Sequence, residues 1–115
     1  MAESFDIQET SHGAAVVLRL QGRLDAKSSR VFLERCKAAH AANRHLVVNL
    51  SGVTFIASSG VGALLGLAEE YRQGTTHVRF VCLSTAVASV IGLLNLDQFL
   101  AIHDSEQSAF DALAA

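Results

Sequence analysis

The stretch NLSGVTFIASSGVGALLG, residues 49–66, joins a strand-like run to a helix-like run. Residues 45–50 are almost continuously apolar, which is typical of a short strand buried on both faces. In residues 61–71 the apolar side chains recur at the i, i+3, i+4, i+7 spacing of an amphipathic helix. Ser58 and Ser59 lie between the two runs. On local chemistry alone, the simpler interpretation is that one of them caps the helix by accepting a backbone N–H of its first turn.

The composition indicates a globular chain with one core. The chain has 115 residues, which is enough for one domain, and we expect residues 1–115 to form it. Half of the residues are apolar and 17% are charged, which excludes a disordered chain. The nine Lys and Arg residues are dispersed and the net charge is -2. We therefore expect no direct contact with nucleic acid.

Cysteine usage and hydropathy point to the cytoplasm. Cys36 and Cys82 lie far apart on separate predicted elements, which indicates reduced thiols. No apolar run is long enough to cross a bilayer, and the N-terminal residues do not have the pattern of a signal peptide. We predict a cytoplasmic protein without membrane insertion. We also expect a monomer, because one core accounts for all the apolar stripes.

Strand-like and helix-like patterns alternate along the chain in the order ββαβαβαβα. Strands are predicted around residues 5–7 and at 14–20, 45–50, 77–83 and 99–102, and helices at 26–42, 61–71, 85–94 and around 110–113. The first two strands form an antiparallel hairpin, and Ser51-Gly52 is expected to bend the chain. This alternation predicts an α/β fold, with a mixed, mostly parallel sheet of about four or five strands packed with about four helices.

Several polar residues are placed to begin or end these helices. Asp25 precedes a polar first turn and is the predicted N-cap of the first helix, which Asn43 ends. Ser84 is the predicted N-cap of the third helix. Asp104 and Gln107 resemble a capping pair before the last helix.

The second helix has an unusually bare side. Gly62 and Gly66 lie one turn apart, with Ala63 beside them, away from the predicted core stripe of Leu64 and Ala68. A face without large side chains lets another surface approach closely. A partner protein and a neighbouring helix of the same domain fit this face about equally well.

The serines could also serve an enzyme. Neither Ser58 nor Ser59 lies in a Gly-x-Ser-x-Gly elbow, and none of the five histidines has a spacing that assigns it as their base. A catalytic triad assembles in space rather than in sequence, so a small hydrolase with Ser58 as its nucleophile stays an alternative.

The sequence gives little support to cofactors or metals. Gly60 and Gly62 resemble a dinucleotide-binding loop, but residues 75–83 offer no acid to hold a ribose. Cys36 and His40 are four residues apart on one helix face, without a second pair to complete a metal site. We predict no cofactor and no metal.

Three segments carry a family resemblance. Residues 22–26, GRLDA, resemble a G-x-L-D segment after the second strand, and residues 49–53, NLSGV, resemble a D-L-S-x-V segment. Residues 55–63, FIASSGVGA, resemble an F-x-D-S-S-G-L-G loop and helix start. In this order and spacing they resemble the STAS domain (sulphate transporter and anti-sigma factor antagonist), and most closely its single-domain anti-sigma factor antagonists. The predicted order of elements agrees along essentially the whole chain.

The resemblance implies a protein-binding switch rather than an enzyme. Family members of this kind bind an anti-sigma factor that is also a serine kinase, and so release a sigma factor. The kinase phosphorylates the first serine of the S-S-G loop, which ends binding, and a serine phosphatase restores it. By this resemblance the modified residue is Ser58, with Ser59 as the alternative. The implied contact surface comprises Asp25, Ser58, Ser59, Gly60, Gly62, Ala63 and Gly66.

The chain departs from the family pattern at two acids. Ala57 stands where the family usually has Asp before the first serine, and Asn49 stands where it usually has Asp in the preceding strand. We therefore expect two carboxylates to be missing beside Ser58. Their loss lowers the repulsion that a phosphate meets, or removes a group that a kinase needs.

Two further functions remain as alternatives. The chain also suits a STAS accessory subunit of a membrane lipid transporter, which binds constitutively and needs no serine kinase. The missing acids favour this role, and the intact Ser58-Ser59-Gly60 disfavours it. The small serine hydrolase differs from both because a serine-directed covalent probe would label it.

Overall fold

The computed structural model describes residues 4–114 and contains a five-stranded sheet with the strand order β1-β2-β3-β4-β5. The strands are β1 (Asp6–His12), β2 (Ala15–Leu24), β3 (His45–Ile56), β4 (Val78–Val81) and β5 (Ile102–His103), and the helices are α1 (Ala26–Ala41), α2 (Ser58–Arg72), α3 (Thr85–Leu93) and α4 (Glu106–Ala114). Strand β1 pairs antiparallel with β2, and the other pairs are parallel. The predicted order and the mixed α/β class are confirmed.

The sheet has a large core on one face and a small core on the other. Alternate residues of β2 and β3, such as Leu18 and Val48, pack against the inner sides of α1, α2 and α3. The intervening residues, such as Val17 and Val47, pack around Ala109 of α4. Because successive side chains of a strand point to opposite faces, strands with helices on both faces are apolar throughout.

Strand β3 is longer than predicted. The expected bend at Ser51-Gly52 is wrong, because pairing with β2 continues to the pair Leu24–Ile56. Strand β3 has one extra residue relative to β2 at two places, between Asn49 and Gly52 and between Val53 and Phe55. Such bulges absorb polar residues and glycines without ending a strand.

The chain after α3 differs most from the predicted elements. A 3-10 turn occupies Leu96–Gln98, and the predicted strand at 99–102 is largely wrong, because residues 99–101 are irregular and β5 contains only Ile102 and His103. Phe99 is therefore 64% exposed. The predicted capping pair of α4 is wrong, because the Ser105 hydroxyl accepts the Ser108 N–H at 3.1 Å. The predicted N-caps Asp25 and Ser84 are confirmed.

Candidate functional site

Two helices begin side by side at one edge of the sheet. The last parallel pair of β2 and β3 is Leu24–Ile56, and each strand leads through a single residue into a helix. Asp25 is the N-cap of α1, and Ala57 is the N-cap of α2. The Ala57 N–H donates to the Leu24 carbonyl at 3.0 Å. Asp25 and Ser58 therefore lie at the same carboxyl edge of the parallel strands.

Ser58 and Ser59 are the first two residues of α2, and both are exposed. The interpretation that one of them caps the helix is wrong, because the N-cap is Ala57, which has no side-chain acceptor. The first helical hydrogen bond runs from the Val61 N–H to the Ala57 carbonyl. The three N–H groups before Val61 therefore have no partner within the helix, and they leave a partial positive charge there.

Gly60 brings the first turn of α2 close to the sheet. A Cβ at this position would lie 2.7 Å from the Leu24 carbonyl oxygen and 2.8 Å from Cγ1 of Ile56. Only glycine allows this approach, because the carbonyl belongs to a paired strand that cannot move without breaking its ladder. Gly60 is buried, and it fixes where the two serines stand.

The remaining small residues of α2 divide between core and surface. The predicted core stripe is rotated, since Ala63, Leu64 and Leu67 are buried while Ala68 is only partly buried. Gly62 and Gly66 are exposed, and a Cβ at either would meet nothing within 4 Å. They line a groove of about 190 Å³ between α1 and α2, with Leu33, Lys37 and Glu70 among its other walls. A neighbouring helix thus covers Ala63 and leaves the two glycines open.

Asp25 is engaged by its own helix. Its Oδ1 accepts the Ser28 N–H at 3.1 Å, and Ser28 Oγ accepts the Asp25 N–H at 2.9 Å. The single hydroxyl proton of Ser28 has two acceptors within reach, the Arg23 carbonyl at 2.6 Å and Asp25 Oδ1 at 3.1 Å. These hydrogen bonds from Ser28 hold the pKa of the Asp25 carboxyl below its usual value. The carboxylate is thus charged and already well supplied with donors.

Asn49 does not lie beside the serines. It pairs with Arg19 in β2, five residues before the Leu24–Ile56 pair, which corresponds to about 17 Å at ~3.3 Å per residue. Its Nδ2 donates to Glu106 of α4 at 2.8 Å. The expectation that two carboxylates are missing beside Ser58 is therefore wrong, since only position 57 lies there.

Glu106 is the centre of a polar cluster on the α4 face. The Arg19 guanidinium donates to both carboxylate oxygens, at 2.8 Å and 2.7 Å, in a bidentate pair. This pairing, with the bond from Asn49, lowers the pKa of Glu106 from its ordinary value. No pattern in the sequence indicated this cluster, because its members are up to 87 residues apart.

The described residues do not supply a base for either serine. Within residues 4–114 no histidine is hydrogen-bonded to Ser58 or Ser59. The histidines have other partners: His12 stacks on Phe110, and His45 stacks on His77. His40 Nδ1 lies 3.6 Å from Glu70 Oε1, and His103 is hydrogen-bonded to Ser108. No group of three potential metal ligands occurs in this part of the chain. Residues 4–114 also include no helix that is long and apolar enough to span a membrane.

One feature beside the serines was missed from the sequence. The Arg23 guanidinium carbon lies 4.0 Å above the centre of the Phe55 ring, where the two strands run side by side. Phe55 is 39% exposed and stands three residues before Ser58. A phenylalanine in a strand is usually expected to be buried, so the sequence did not indicate that Phe55 is exposed. Its contact with Arg23 follows only from the register of the two strands.

Comparison with known proteins identifies the fold and the family. Residues 6–109 match the STAS domain family. The anti-sigma-F factor antagonist RsfA of Mycobacterium tuberculosis is 32% identical over 104 residues, which cover 88% of this chain and 81% of that protein. An anti-sigma factor antagonist from Mycobacterium paratuberculosis has a similar crystal structure, with a TM-score of 0.88 at 23% identity over the whole of both chains. SpoIIAA of Bacillus in its phosphorylated form is similar with a TM-score of 0.70, 22% identity and coverage of 95% of this chain and 98% of that one. The segments around Asp25 and Ser58, the arrangement of the sheet and these matches agree, and the chain belongs to the STAS domain family.

Proposed function

We propose that this chain is an anti-sigma factor antagonist, which binds an anti-sigma factor and so releases a sigma factor. The observation that carries the proposal is the exposed serine pair in the uncapped first turn of α2, within a chain whose STAS relatives include named antagonists. We take residues 1–115 to act as one STAS domain that is monomeric and not an enzyme. The free thiols Cys36 and Cys82 support a cytoplasmic location.

The proposed contact surface lies at the carboxyl edge of β2 and β3. Ser58, Ser59, Gly62 and Gly66 are its accessible part on α2. Gly60 and Ala63 are buried, so they act by holding the helix close to its neighbours. Asp25 begins the adjacent helix and shapes the same edge.

The proposed switch is phosphorylation of Ser58, with Ser59 as the alternative, by an anti-sigma factor that is also a serine kinase. A serine phosphatase would reverse it. A phosphate adds about -1.5 to -2 charges, and the N-terminus of α2 tolerates them because its first N–H groups are unpaired. A partner surface that fits a neutral hydroxyl does not tolerate them. One like-charge contact at 4 Å costs about 4 kcal/mol at an effective dielectric constant of 20.

The domain does not have to unfold for this switch to act. Ser58 is exposed, and Ala57 contributes no carboxylate to repel the phosphate. The related SpoIIAA is known in both an unphosphorylated and a phosphorylated form, which supports the same chemistry at the same fold.

The test uses the purified chain and the anti-sigma factor of the same organism. Titration calorimetry measures their affinity, and intact mass measures phosphate transfer when MgATP is added. We expect binding by the wild type, one added phosphate, and loss of that phosphate in Ser58→Ala but not in Ser59→Ala. Ser58→Glu, which mimics only part of the charge, should bind at least about tenfold more weakly with an unchanged melting temperature.

Two outcomes contradict different parts of the proposal. Binding without phosphate transfer, together with unmodified protein from the native host under growth and stress, rejects the switch. Absence of binding to any anti-sigma factor rejects the antagonist itself. Constitutive co-purification with a membrane lipid transporter would then identify the accessory-subunit alternative.

A further inference from the structure

We propose that Arg23 and Phe55 form the centre of the partner-binding surface, and that this surface receives an acidic segment of the anti-sigma factor. The inference rests on the proposed function, and it adds the residues and the partner chemistry. Arg23 lies in the GRLDA segment and Phe55 begins the FIASSGVGA segment, but neither is among the contact residues that the resemblance implies. Arg23 and Phe55 are directly paired in β2 and β3, one pair before the strands end at Leu24–Ile56.

The first argument is that two large apolar side chains are exposed close to the beginnings of α1 and α2. Phe55 is 39% exposed and Val31 of α1 is 47% exposed, although α1 buries Phe32 beside it. Arg23 connects them, because it stacks on Phe55 and also lines a cleft of about 370 Å³ with Val31. Aromatic and arginine side chains in such positions are the usual anchors of protein interfaces.

The second argument is charge. Arg23 and Lys27 line the cleft together with Asp25. The Asp25 carboxylate accepts the Ser28 N–H at the positive end of its own helix, which offsets its charge. The guanidinium and the ammonium are exposed and remain available to a partner. The surface therefore complements an acidic segment that also carries an apolar side chain for Phe55.

The third argument is the position of the proposed phosphate. Phe55 precedes Ser58 by three residues, and its partner Arg23 lies on the neighbouring strand at the same edge. A phosphate there would compete with the partner's acidic groups for Arg23 and would also repel them. Both effects weaken the complex, so one modification acts on the whole surface.

The experiment measures the dissociation constant for the anti-sigma factor by titration calorimetry. Arg23→Glu and Phe55→Ser should each weaken binding by about tenfold or more. Arg23→Lys keeps the charge but not the planar stacking, and should fall between the wild type and Arg23→Glu. The matched control is Arg72→Glu, which makes the same change in net charge at the far end of α2 and should change the constant by less than about twofold. Melting temperatures of all variants verify that each is folded.

Salt dependence gives an independent measurement. Wild-type affinity should fall as the salt concentration rises, and the slope should be shallower for Arg23→Gln, because one ionic contact is gone. If the wild type binds but Arg23→Glu and Phe55→Ser equal Arg72→Glu, this inference is overturned while the proposed function stands. Tighter binding by Arg23→Glu would show that the partner segment is basic and would also overturn it. If the wild type itself does not bind, the proposed function has failed.

Discussion

At the residue scale, Ala57 shows how one substitution changes a helix start without changing the fold. It occupies the N-cap of α2 with extended backbone angles, φ -88° and ψ 170°, but it has no side-chain oxygen. Aspartate, which the family pattern places here, would accept one of the unpaired N–H groups. The chain thus has a cap position without a capping side chain.

Ala57→Asp should raise the free energy of unfolding by about 1 kcal/mol at neutral pH. The gain comes from a capping hydrogen bond and from a negative charge at the positive end of the helix. Urea denaturation measures it. Ala57→Asn is the matched control, because it supplies the hydrogen bond without the charge and should give a smaller gain. A lower stability for both variants would contradict the described cap geometry.

Two adjacent serines in α1 offer a second comparison of residues. Ser29 Oγ is buried without a hydrogen-bond partner, and it is the one such side-chain atom found within residues 4–114. Ser28 is equally buried, but its hydroxyl donates to the Arg23 carbonyl at 2.6 Å and it completes the capping box with Asp25. Burial of an unpaired hydroxyl costs free energy, whereas burial of a paired one does not.

We therefore expect opposite effects from the same substitution at the two serines. Ser29→Ala should raise the free energy of unfolding by about 1 kcal/mol, and Ser28→Ala should lower it by about 1 to 2 kcal/mol. Thermal melting of the two single variants tests this. Equal losses from both would mean that Ser29 has a partner after all.

At the element scale, α2 is placed by close contact at its beginning and open space further along. Gly60 has strand backbone within 2.7 Å of a would-be Cβ, and Gly62 has nothing within 4 Å. Both residues lie in the same helix, so the intrinsic cost of glycine is similar for the two. Only their surroundings differ.

Gly60→Ala should destabilise the chain by about 1–3 kcal/mol, because α2 must move away from the sheet. Gly62→Ala should stabilise it by about 0.5–1 kcal/mol, because alanine favours the helix and has room. Chemical denaturation of both variants gives the difference. A gain in stability from Gly60→Ala would show that α2 lies further from β2 than described.

Helix α4 is anchored in a different way, by the polar cluster around Glu106. Asn49→Asp, which restores the family's acid, would set a second carboxylate where the amide now donates to Glu106 at 2.8 Å. We expect a loss of about 1–3 kcal/mol at pH 7. The double variant Asn49→Asp/Glu106→Gln exchanges amide and acid and should recover part of that loss.

The effect of this substitution should depend on pH with a definite sign. Two adjacent carboxylates raise each other's pKa, so protonation relieves the repulsion. The difference between wild type and Asn49→Asp should therefore shrink as the pH falls below about 5, where the wild type also begins to lose the Glu106 pair. Urea titrations at several pH values measure it. A difference that grows on acidification would contradict the described contact.

At the scale of the whole molecule, the two thiols report on the two environments of the sheet. Cys36 is 1% exposed in the core beneath α1, and burial raises the pKa of its thiol. Cys82 is half-buried at the end of β4, where its Sγ donates to the Asp104 carbonyl at 3.4 Å. Only the thiolate is nucleophilic, and burial both disfavours the thiolate and excludes the reagent. Reaction of Cys36 therefore requires opening of the core.

Native protein should therefore react with Ellman's reagent at one thiol per chain, and at the second only in denaturant. In Cys82→Ser the remaining labelling should follow the global free energy of unfolding. In Cys36→Ser the labelling should stay rapid. Rapid labelling of Cys36 in folded protein would show that α1 opens locally.

The sequence by itself determined the order of elements, the mixed α/β class, the caps Asp25 and Ser84 and the resemblance around the serine pair. These features depend on neighbours along the chain, because periodicity and capping are local. It misplaced the cap of α2, the end of β3 and the neighbourhood of Asn49.

Those features were decided only by the tertiary structure. Strand β3 extends to Ile56 because β2 lies beside it, and Asn49 turns to Glu106, which is 57 residues away. Arg23 and Phe55 meet only through the register of two parallel strands. Contacts between residues distant in sequence leave no periodic pattern, so the serine loop could be read from the sequence and the surface around it could not.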